Sequence, residues 1–425
     1  MIYNYKTINL PRKSNMYNIE YHNFDFTNKN DQKLKVTSEA IVSNIESGDE
    51  YYQIFKKQDF SKIIKELKDH AEKIRNFSDL IVISMGGATL NPQMLVRFLG
   101  EDANSPKIHF LNNTDPAFFA ELMALVNIKN TAFLAISNSG QTLETNALVG
   151  CMLAEYQEHN INDIGTRAFF ITNPKNGVLK DIASAISATL IPHQHGISGR
   201  YSGLSSVSLL VGLIAGINIE AYVSGTNEVI NDVYKNKEAS KPLLSSASIY
   251  NNDKNILVNI GYLQTFDIFL EWYSQIIAES LGKNGKGYTP VRGLGPNDQH
   301  SMLQLYLDGP KDKLFTLFYA DNSNKNLLNY KTSSLSELGY LANKNLTDIN
   351  KANYDATLLA LKAKELHIRS FVLSDISARA FGAMVCHFMF EIVALSHLME
   401  LNPFDQPGVE LIKKHSASLV ESKIK

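Results

Sequence analysis

Short apolar runs alternate along this chain with longer stretches in which apolar residues recur every three or four positions. The runs are Leu80–Ser84, Ile108–Leu111, Ala132–Ser137, Ala168–Thr172 and Ala188–Ile191, then Ile256–Ile260, Leu314–Tyr319 and His367–Leu373. Continuous apolar character over so few residues predicts strands covered on both faces. The stretches between them, such as Thr142–Tyr156, Thr265–Leu281 and Ile376–Leu401, read as helices. Strands joined by helical crossovers predict an α/β protein with mainly parallel sheets in three α/β/α layers. Residues 1–50 are polar and irregular, an arm or lead-in helix, and an amphipathic pattern follows at Tyr51–Phe77. The alternation lapses at Val223–Asn236, so a linker is expected near 225–245. Both halves open with a strand, a turn and a helix. The organisation read from this is an arm at 1–50, one domain at 51–235, a second at 236–402 and a tail at 403–425.

Composition narrows the class. The 425 residues exceed one ordinary core and fit two domains. A formal net charge of −2 removes the electrostatic drive toward nucleic acid or anionic membrane. Cys151 and Cys386 lie in apolar helical patterns and read as buried free thiols. The opening MIYNYKTINLPRKSN has no apolar h-region, and Leu204–Ile217 is short and broken by Ser and Gly, which reads as a buried helix. The expected location is the cytoplasm.

Two turns carry candidate chemistry. Ser84-Met85-Gly86-Gly87-Ala88-Thr89 follows the first strand, and paired glycines let backbone approach a ligand. Ser137-Asn138-Ser139-Gly140-Gln141-Thr142 follows the third strand and opens a helix, with Glu144 and Thr145 just beyond. Three hydroxyls at the positive end of a helix suit a phosphate monoester; the plainer reading is an N-cap with spare serines. No G-x-G-x-x-G or G-x-x-x-x-G-K-[ST] pattern points to a nucleotide. His193-Gln194-His195 has no third ligand at metal spacing and reads as a polar loop, so no metal and no cofactor is expected.

Four further segments complete a pattern: GISGRYSGLSSV at 196–207, ESLGKNGKG at 279–287, GPNDQHSM at 295–302 and FDQPGVELIK at 404–413. With the SNSGQTLET run they resemble the phosphoglucose isomerase family, in its shorter bacterial branch, in order from about Leu80 to Lys414. FDQPGVE is the most specific of these segments. The resemblance implies two sugar-isomerase-type domains with an N-terminal arm and a C-terminal helical tail. It implies interconversion of glucose 6-phosphate and fructose 6-phosphate through a cis-enediol, a step of glycolysis and gluconeogenesis, and a homodimer with shared active sites. By matching position, Ser137, Ser139 and Thr142 bind the sugar phosphate, with Gly86, Gly87 and Asn138 beside it. Glu279 matches the base, His300 and Lys413 the groups that open the ring, Arg200 the cation that stabilises the enediolate, and Gln406 a glutamine near the reacting end. The residue types fit independently, since proton transfer needs a carboxylate or imidazole and the growing oxyanion needs a cation.

The chain departs from the family pattern in places. Asn138 stands where the family loop usually has lysine, and Ala88 where its glycine loop has serine. The stretch VRGLGPND before Gln299-His300 holds no glutamate, which leaves Glu279 as the base and Glu144 as the second candidate. Two other classes fit part of the pattern: a non-catalytic sugar-phosphate-binding protein, and an isomerase or transferase of a related (amino)sugar phosphate. Each residue alone also has a duller reading: Glu279 and Lys413 as solvated charges, His300 as a surface group, Arg200 as a cap.

Overall fold

A computed structural model describes residues 8–9, 16–24, 31–57, 60–321 and 330–423. Its strands among those residues are β1 (Ile8–Asn9), β2 (Tyr17–His22), β3 (Asp79–Ser84), β4 (Lys107–Leu111), β5 (Thr131–Ser137), β6 (Ala168–Thr172), β7 (Thr189–Pro192), β8 (Ile256–Gly261), β9 (Thr289–Leu294), β10 (Lys313–Ala320) and β11 (His367–Leu373). The chain forms two compact units, each discontinuous in sequence. One comprises residues 43–223 with 404–425, the other residues 1–42 with 224–403.

The first unit holds an all-parallel sheet in the order β4-β3-β5-β6-β7. Every residue of β3, β5 and β6 is buried, as their continuous apolar sequences require. Alternate residues face opposite layers. Ile81, Ile83, Phe133, Ala135 and Phe170 pack with Leu148, Val149, Met152 and Tyr156 of the helix Leu143–Glu158 and with Leu179 and Ala183 of Val178–Ala185. The helix Gly87–Leu99 lies against β3 and β5 and packs on the almost wholly buried helix Ser206–Ile214. Because the chain adds β4 on one side of β3 and then β5 on the other, the winding reverses between β3 and β5. In such a sheet the crevice beyond the carboxyl ends at that reversal is where ligands bind. The two loops that open there are Ser84–Thr89 and Ser137–Thr142.

The second unit has the order β1-β2-β11-β10-β8-β9. Strands β8 to β11 are mutually parallel and reverse in the same way, between β8 and β10. Strand β2 runs antiparallel on the β11 edge, with β1 antiparallel beyond it. One face of the sheet carries an aromatic core in which the rings of Phe269, Tyr273, Phe318, Phe371 and Phe388 meet, Phe269 stacked on Tyr273 and the others edge-on or tilted. The helix Ala378–Leu398 is long and apolar enough to cross a membrane, and it is almost wholly buried in this core.

The structure differs from the sequence reading at four places. The linker expected near 225–245 is helical, over Ile219–Asn236 and Lys241–Tyr250. Its glycine marks an approach between elements and not a turn: a Cβ on Gly225 would stand 1.9 Å from the carbonyl oxygen of Arg379. Residues 1–50, read as an arm or lead-in helix, hold the helix Asp31–Ser47 but also strands β1 and β2, and the parts at 1–7, 10–15 and 25–30 lie outside the described residues. Strand β2 hides in a polar stretch because it buries mainly Tyr17, Ile19 and Tyr21 while Asn18 faces out. Strand β9 has no counterpart among the apolar runs, since TPVRGL is a half-exposed edge strand with Pro290, Arg292 and Gly293. Cys386 is buried, but Cys151 is exposed, on a helix whose inward stripe is Leu148, Val149, Met152 and Tyr156.

Candidate active site

In the first unit, the turn after β3 is built against a second backbone segment. Gly86 has φ 57°, in the left-handed region, and starts the helix Gly87–Leu99. A Cβ on Gly87 would fall 2.4 Å from the backbone nitrogen of Arg200, so only glycine lets the two chains meet. The side chain of Asn91 stitches them together, donating to the carbonyls of Gly87 at 2.7 Å and Gly199 at 2.9 Å. Ser84 and Thr89, which flank the turn, share a hydroxyl hydrogen bond of 2.7 Å. The glycine pair thus gives its close approach to the Arg200 segment.

Arg200 is 1% exposed. Its Nη1 donates to Oε1 of Gln406, and its Nη2 donates to the carbonyl oxygen of Asp405 at 2.9 Å. The segment that receives it is fixed by Phe404, whose ring meets Tyr51 at 5.5 Å, Tyr52 at 5.0 Å and Tyr201 at 5.2 Å. This aromatic cradle is what sequence reasoning missed. The adjacent pair Tyr51-Tyr52 is its one signal in the sequence, where it opens the amphipathic pattern Tyr51–Phe77. The run begins instead with a single turn at Gln53–Phe55 and becomes helical at Ser61–Ile74.

The loop Ser137–Thr142 stands at the amino end of the helix Leu143–Glu158. Thr142 occupies the N-cap, yet its side chain makes no capping bond; its hydroxyl pairs with that of Ser137 at 2.9 Å. The amide of Gly140 donates to Ser137 Oγ and that of Gln141 to Ser139 Oγ, each at 3.2 Å. Asn138 is exposed and donates from Nδ2 to the carbonyl oxygen of Ile197 at 3.3 Å. A loop of hydroxyls above first-turn N–H groups that no side chain caps is able to receive an anion. Glu144, half-buried, sits in that first turn. Lys413 is exposed on the helix Pro407–Lys423, which packs against Leu143–Glu158.

In the second unit, Glu279 occupies the last turn of the helix Phe266–Leu281. It is half-buried, and Gln275, one turn earlier, donates from Nε2 to its Oε1 at 2.8 Å. The glycine-rich segment after it is tied down by Lys283, which donates to the carbonyl of Asn402, and by Lys286, which donates to that of Met399 at 2.8 Å. His300 ends a short turn, Asn297–His300, beyond the carboxyl end of β9, and is exposed. Its neighbour Gln299 anchors the turn, donating to Tyr262 Oη at 3.0 Å and Thr357 Oγ1 at 2.7 Å.

Of the residues singled out from sequence, the first unit therefore gathers Gly86, Gly87, the Ser137–Thr142 loop, Glu144, Arg200, Gln406 and Lys413, and the second carries Glu279 and His300. The paired histidines part company: His195 is exposed and 2.6 Å from Glu50, whereas His193 is buried with Nδ1 2.9 Å from the carbonyl of Gln194.

Comparison with known proteins agrees with this architecture. The family model described as phosphoglucose isomerase matches residues 21–425. A glucose-6-phosphate isomerase of Rubrobacter xylanophilus is 30% identical over 364 residues, 81% of this chain and 83% of that protein. One of Methanocaldococcus jannaschii is 28% identical over 401 residues, 91% and 96% of the two chains. Among solved structures, a hypothetical protein of Thermus thermophilus superposes with a TM-score of 0.85 at 26% identity, covering 91% of this chain and 94% of that one. A glucose-6-phosphate isomerase of Chlamydia trachomatis has the same fold, with a TM-score of 0.81 at 19% identity, covering 97% and 90%. The chain belongs to the phosphoglucose isomerase family.

Proposed function

We propose that this chain is an aldose–ketose isomerase that interconverts glucose 6-phosphate and fructose 6-phosphate. The observation that carries the reading is the clamp of Gly87, Arg200 and Gln406 in the same unit as an uncapped hydroxyl loop, in a chain of this family. The Ser137, Ser139 and Thr142 hydroxyls and the first-turn N–H groups hold the phosphate monoester. His300 and Lys413 exchange protons with the ring and anomeric oxygens to open the hemiacetal. The Glu279 carboxylate then takes the proton from C2. The electron pair of that C–H bond forms the enediolate, whose charge grows on the oxygen of C1, and Arg200 with Gln406 stabilises it. A proton passes from the C2 hydroxyl to the C1 oxygen, and Glu279 returns its proton to C1, which leaves a hydroxyl at C1 and the carbonyl at C2. In this reading the enzyme is a homodimer that works in the cytoplasm.

The test is exchange of the C2 hydrogen of glucose 6-phosphate with deuterated water. The unaltered protein exchanges it. Glu279→Gln loses turnover by roughly 10²–10⁴-fold, the usual contribution of a positioned base, with little change in substrate affinity. Glu144→Gln keeps exchange. The reverse result moves the base to Glu144. A protein that binds the sugar phosphate and exchanges nothing is a binding protein and not an isomerase.

A further inference from the structure

The hydroxyl loop contains no cation, yet a phosphate monoester near pH 7 carries a charge of about −1.5 to −2. Hydroxyl dipoles and one helix terminus, worth roughly half a unit charge, leave much of that unbalanced. Within the same unit, Arg200 is held by Gln406 and the carbonyl of Asp405. Arg167 is held by Asp163 at 2.8 Å, and Lys180 by Asp181 at 3.2 Å.

One segment is sewn directly onto the loop: the turn Asn173-Pro174-Lys175-Asn176-Gly177, which leaves the carboxyl end of β6. The amide of Asn173 donates to the carbonyl oxygen of Asn138 at 3.3 Å, and that of Leu179 to Gly140 at 3.2 Å. Gly177, at φ 116°, lies against the loop so closely that a Cβ would be 2.8 Å from the carbonyl oxygen of Ser139. From the other side, a Cβ on Gly140 would be 3.3 Å from Cα of Gly177 and 2.9 Å from Oγ1 of Thr172. That Thr172 hydroxyl is fully buried and has no hydrogen-bond partner among the described residues. The two loops are therefore bonded to each other at both ends of the turn. Asn173 Oδ1 accepts the backbone amide of Lys175 at 2.9 Å, which turns the chain so that Lys175 stands at the tip. Lys175 is exposed, and among the described residues its ammonium has no ion pair.

We propose that Lys175 is a phosphate-binding residue: the cation for the Ser137–Thr142 loop is supplied by the neighbouring β6 turn instead of the loop itself. This rests on the reading of that loop as the phosphate site. A lysine in this place contributes to holding substrate and nothing to proton transfer, so its signature is in KM and not in kcat. Its contribution is also screened by salt, as an exposed charge must be.

The experiment measures turnover of fructose 6-phosphate and calorimetric binding of glucose 6-phosphate and inorganic phosphate for the full chain, Lys175→Gln, Lys175→Arg and Lys107→Gln. Lys107 serves as a control because it lies at the amino end of β4, the opposite end of the sheet from the loop. Lys175→Gln is expected to weaken both ligands and raise KM by about 5- to 20-fold, the range for a charge-assisted contact discounted for exposure, with kcat within twofold. Its KM should also respond less to added salt. Lys175→Arg and Lys107→Gln should resemble the unaltered protein. An active enzyme whose KM and phosphate affinity survive Lys175→Gln overturns the assignment and leaves the isomerase reading standing. Weakened binding in a protein that binds but does not turn over supports Lys175 and overturns the isomerase reading. Absence of any sugar-phosphate binding by the unaltered protein overturns both.

Discussion

Gly87 and Gly150 lie one on each side of the Ser137–Thr142 loop in sequence and respond oppositely to a methyl group. At Gly87 the added carbon would press to 2.4 Å on the backbone of Gly199 and Arg200, where no side-chain rotation relieves it. Gly87→Ala is expected to cost about 1–3 kcal/mol of stability, as overpacking of a tight contact does. It should also displace Arg200 from Gln406, so kcat falls far more than stability does. Gly150 sits in the middle of the helix Leu143–Glu158 with nothing within 4 Å of its Cβ position. There the main effect is lost freedom in the unfolded chain, and Gly150→Ala should raise stability by roughly 0.5–1 kcal/mol with activity unchanged. Urea unfolding and turnover of the two variants decide the matter. A fully active Gly87→Ala would show that the backbone contact does not hold Arg200 in place. In the sequence Gly87 reads as a glycine that lets backbone approach a ligand, and only the three-dimensional neighbour shows that what approaches it is the backbone of Gly199 and Arg200.

Between elements of the second unit, the core is fastened by charge as well as by rings. Arg369 on β11 and Glu391 on the helix Ala378–Leu398 form an ion pair in which both side chains are essentially inaccessible. Tyr273, on the helix that carries Glu279, donates its hydroxyl to Glu391 and accepts from Arg369 Nη2 at 3.1 Å. Thr316 on β10 accepts from the guanidinium at 3.2 Å through Nε. Burial alone would raise the carboxyl pKa of Glu391, but Arg369, with His387 and Tyr273, holds it below the ordinary value. Glu391→Gln should cost about 3–5 kcal/mol, because it strands a buried guanidinium. Replacing both partners, as Arg369→Met with Glu391→Met, should cost much less. Denaturant midpoints of the single and double variants test this, and a double variant as unstable as the sum of the singles would refute a pair interaction. These residues were absent from the sequence reading. An arginine inside a strand and a glutamate inside an apolar helix look like interruptions of pattern until their partner is known.

Across the whole molecule, what was legible followed from how local the signal is. The eight strands anticipated from apolar runs appear within a residue or two of their expected ends, since in most of them burial on both faces writes itself into consecutive residues, and the edge strands β4 and β7 keep an apolar run as well. The helices at 219–250 and strands β2 and β9 were not legible, because half-exposed elements carry polar residues that resemble loop. The candidate site divides in the same way: hydroxyls and glycines in one loop can be seen together, whereas Phe404 in its cradle of Tyr51, Tyr52 and Tyr201 joins distant parts of the chain. Buried histidines are another feature visible only after folding, and they set the response to acid. His22 and His387 in the second unit and His193 in the first are all buried. Burial is the leading cause of a lowered pKa at each, taking His22 from 6.5 to about 4 with help from Lys362. At His387 the nearby Glu391 works against that lowering, and Arg369 and Lys241 add to it; its Nδ1 is 3.0 Å from the Tyr17 hydroxyl. A group whose folded pKa lies below its unfolded value binds more protons when unfolded. Stability is therefore whole above the unfolded pKa of 6.5 and is lost as pH falls through and below it. Each such histidine contributes up to about 1.4 kcal/mol per pH unit until its folded pKa is reached. Glu391, with a lowered carboxyl pKa, adds its own loss only below its ordinary value of 4.5. The urea midpoint should thus be level from about pH 7 to 8.5 and fall from about pH 6.5 downward, earlier than carboxylates alone would cause. His22→Leu removes one of the titrating groups and should make that acid limb shallower, whatever it does to the plateau. A midpoint that stays level down to about pH 5, or an acid limb that His22→Leu leaves as steep, would mean that these rings reach water or find proton acceptors as they charge.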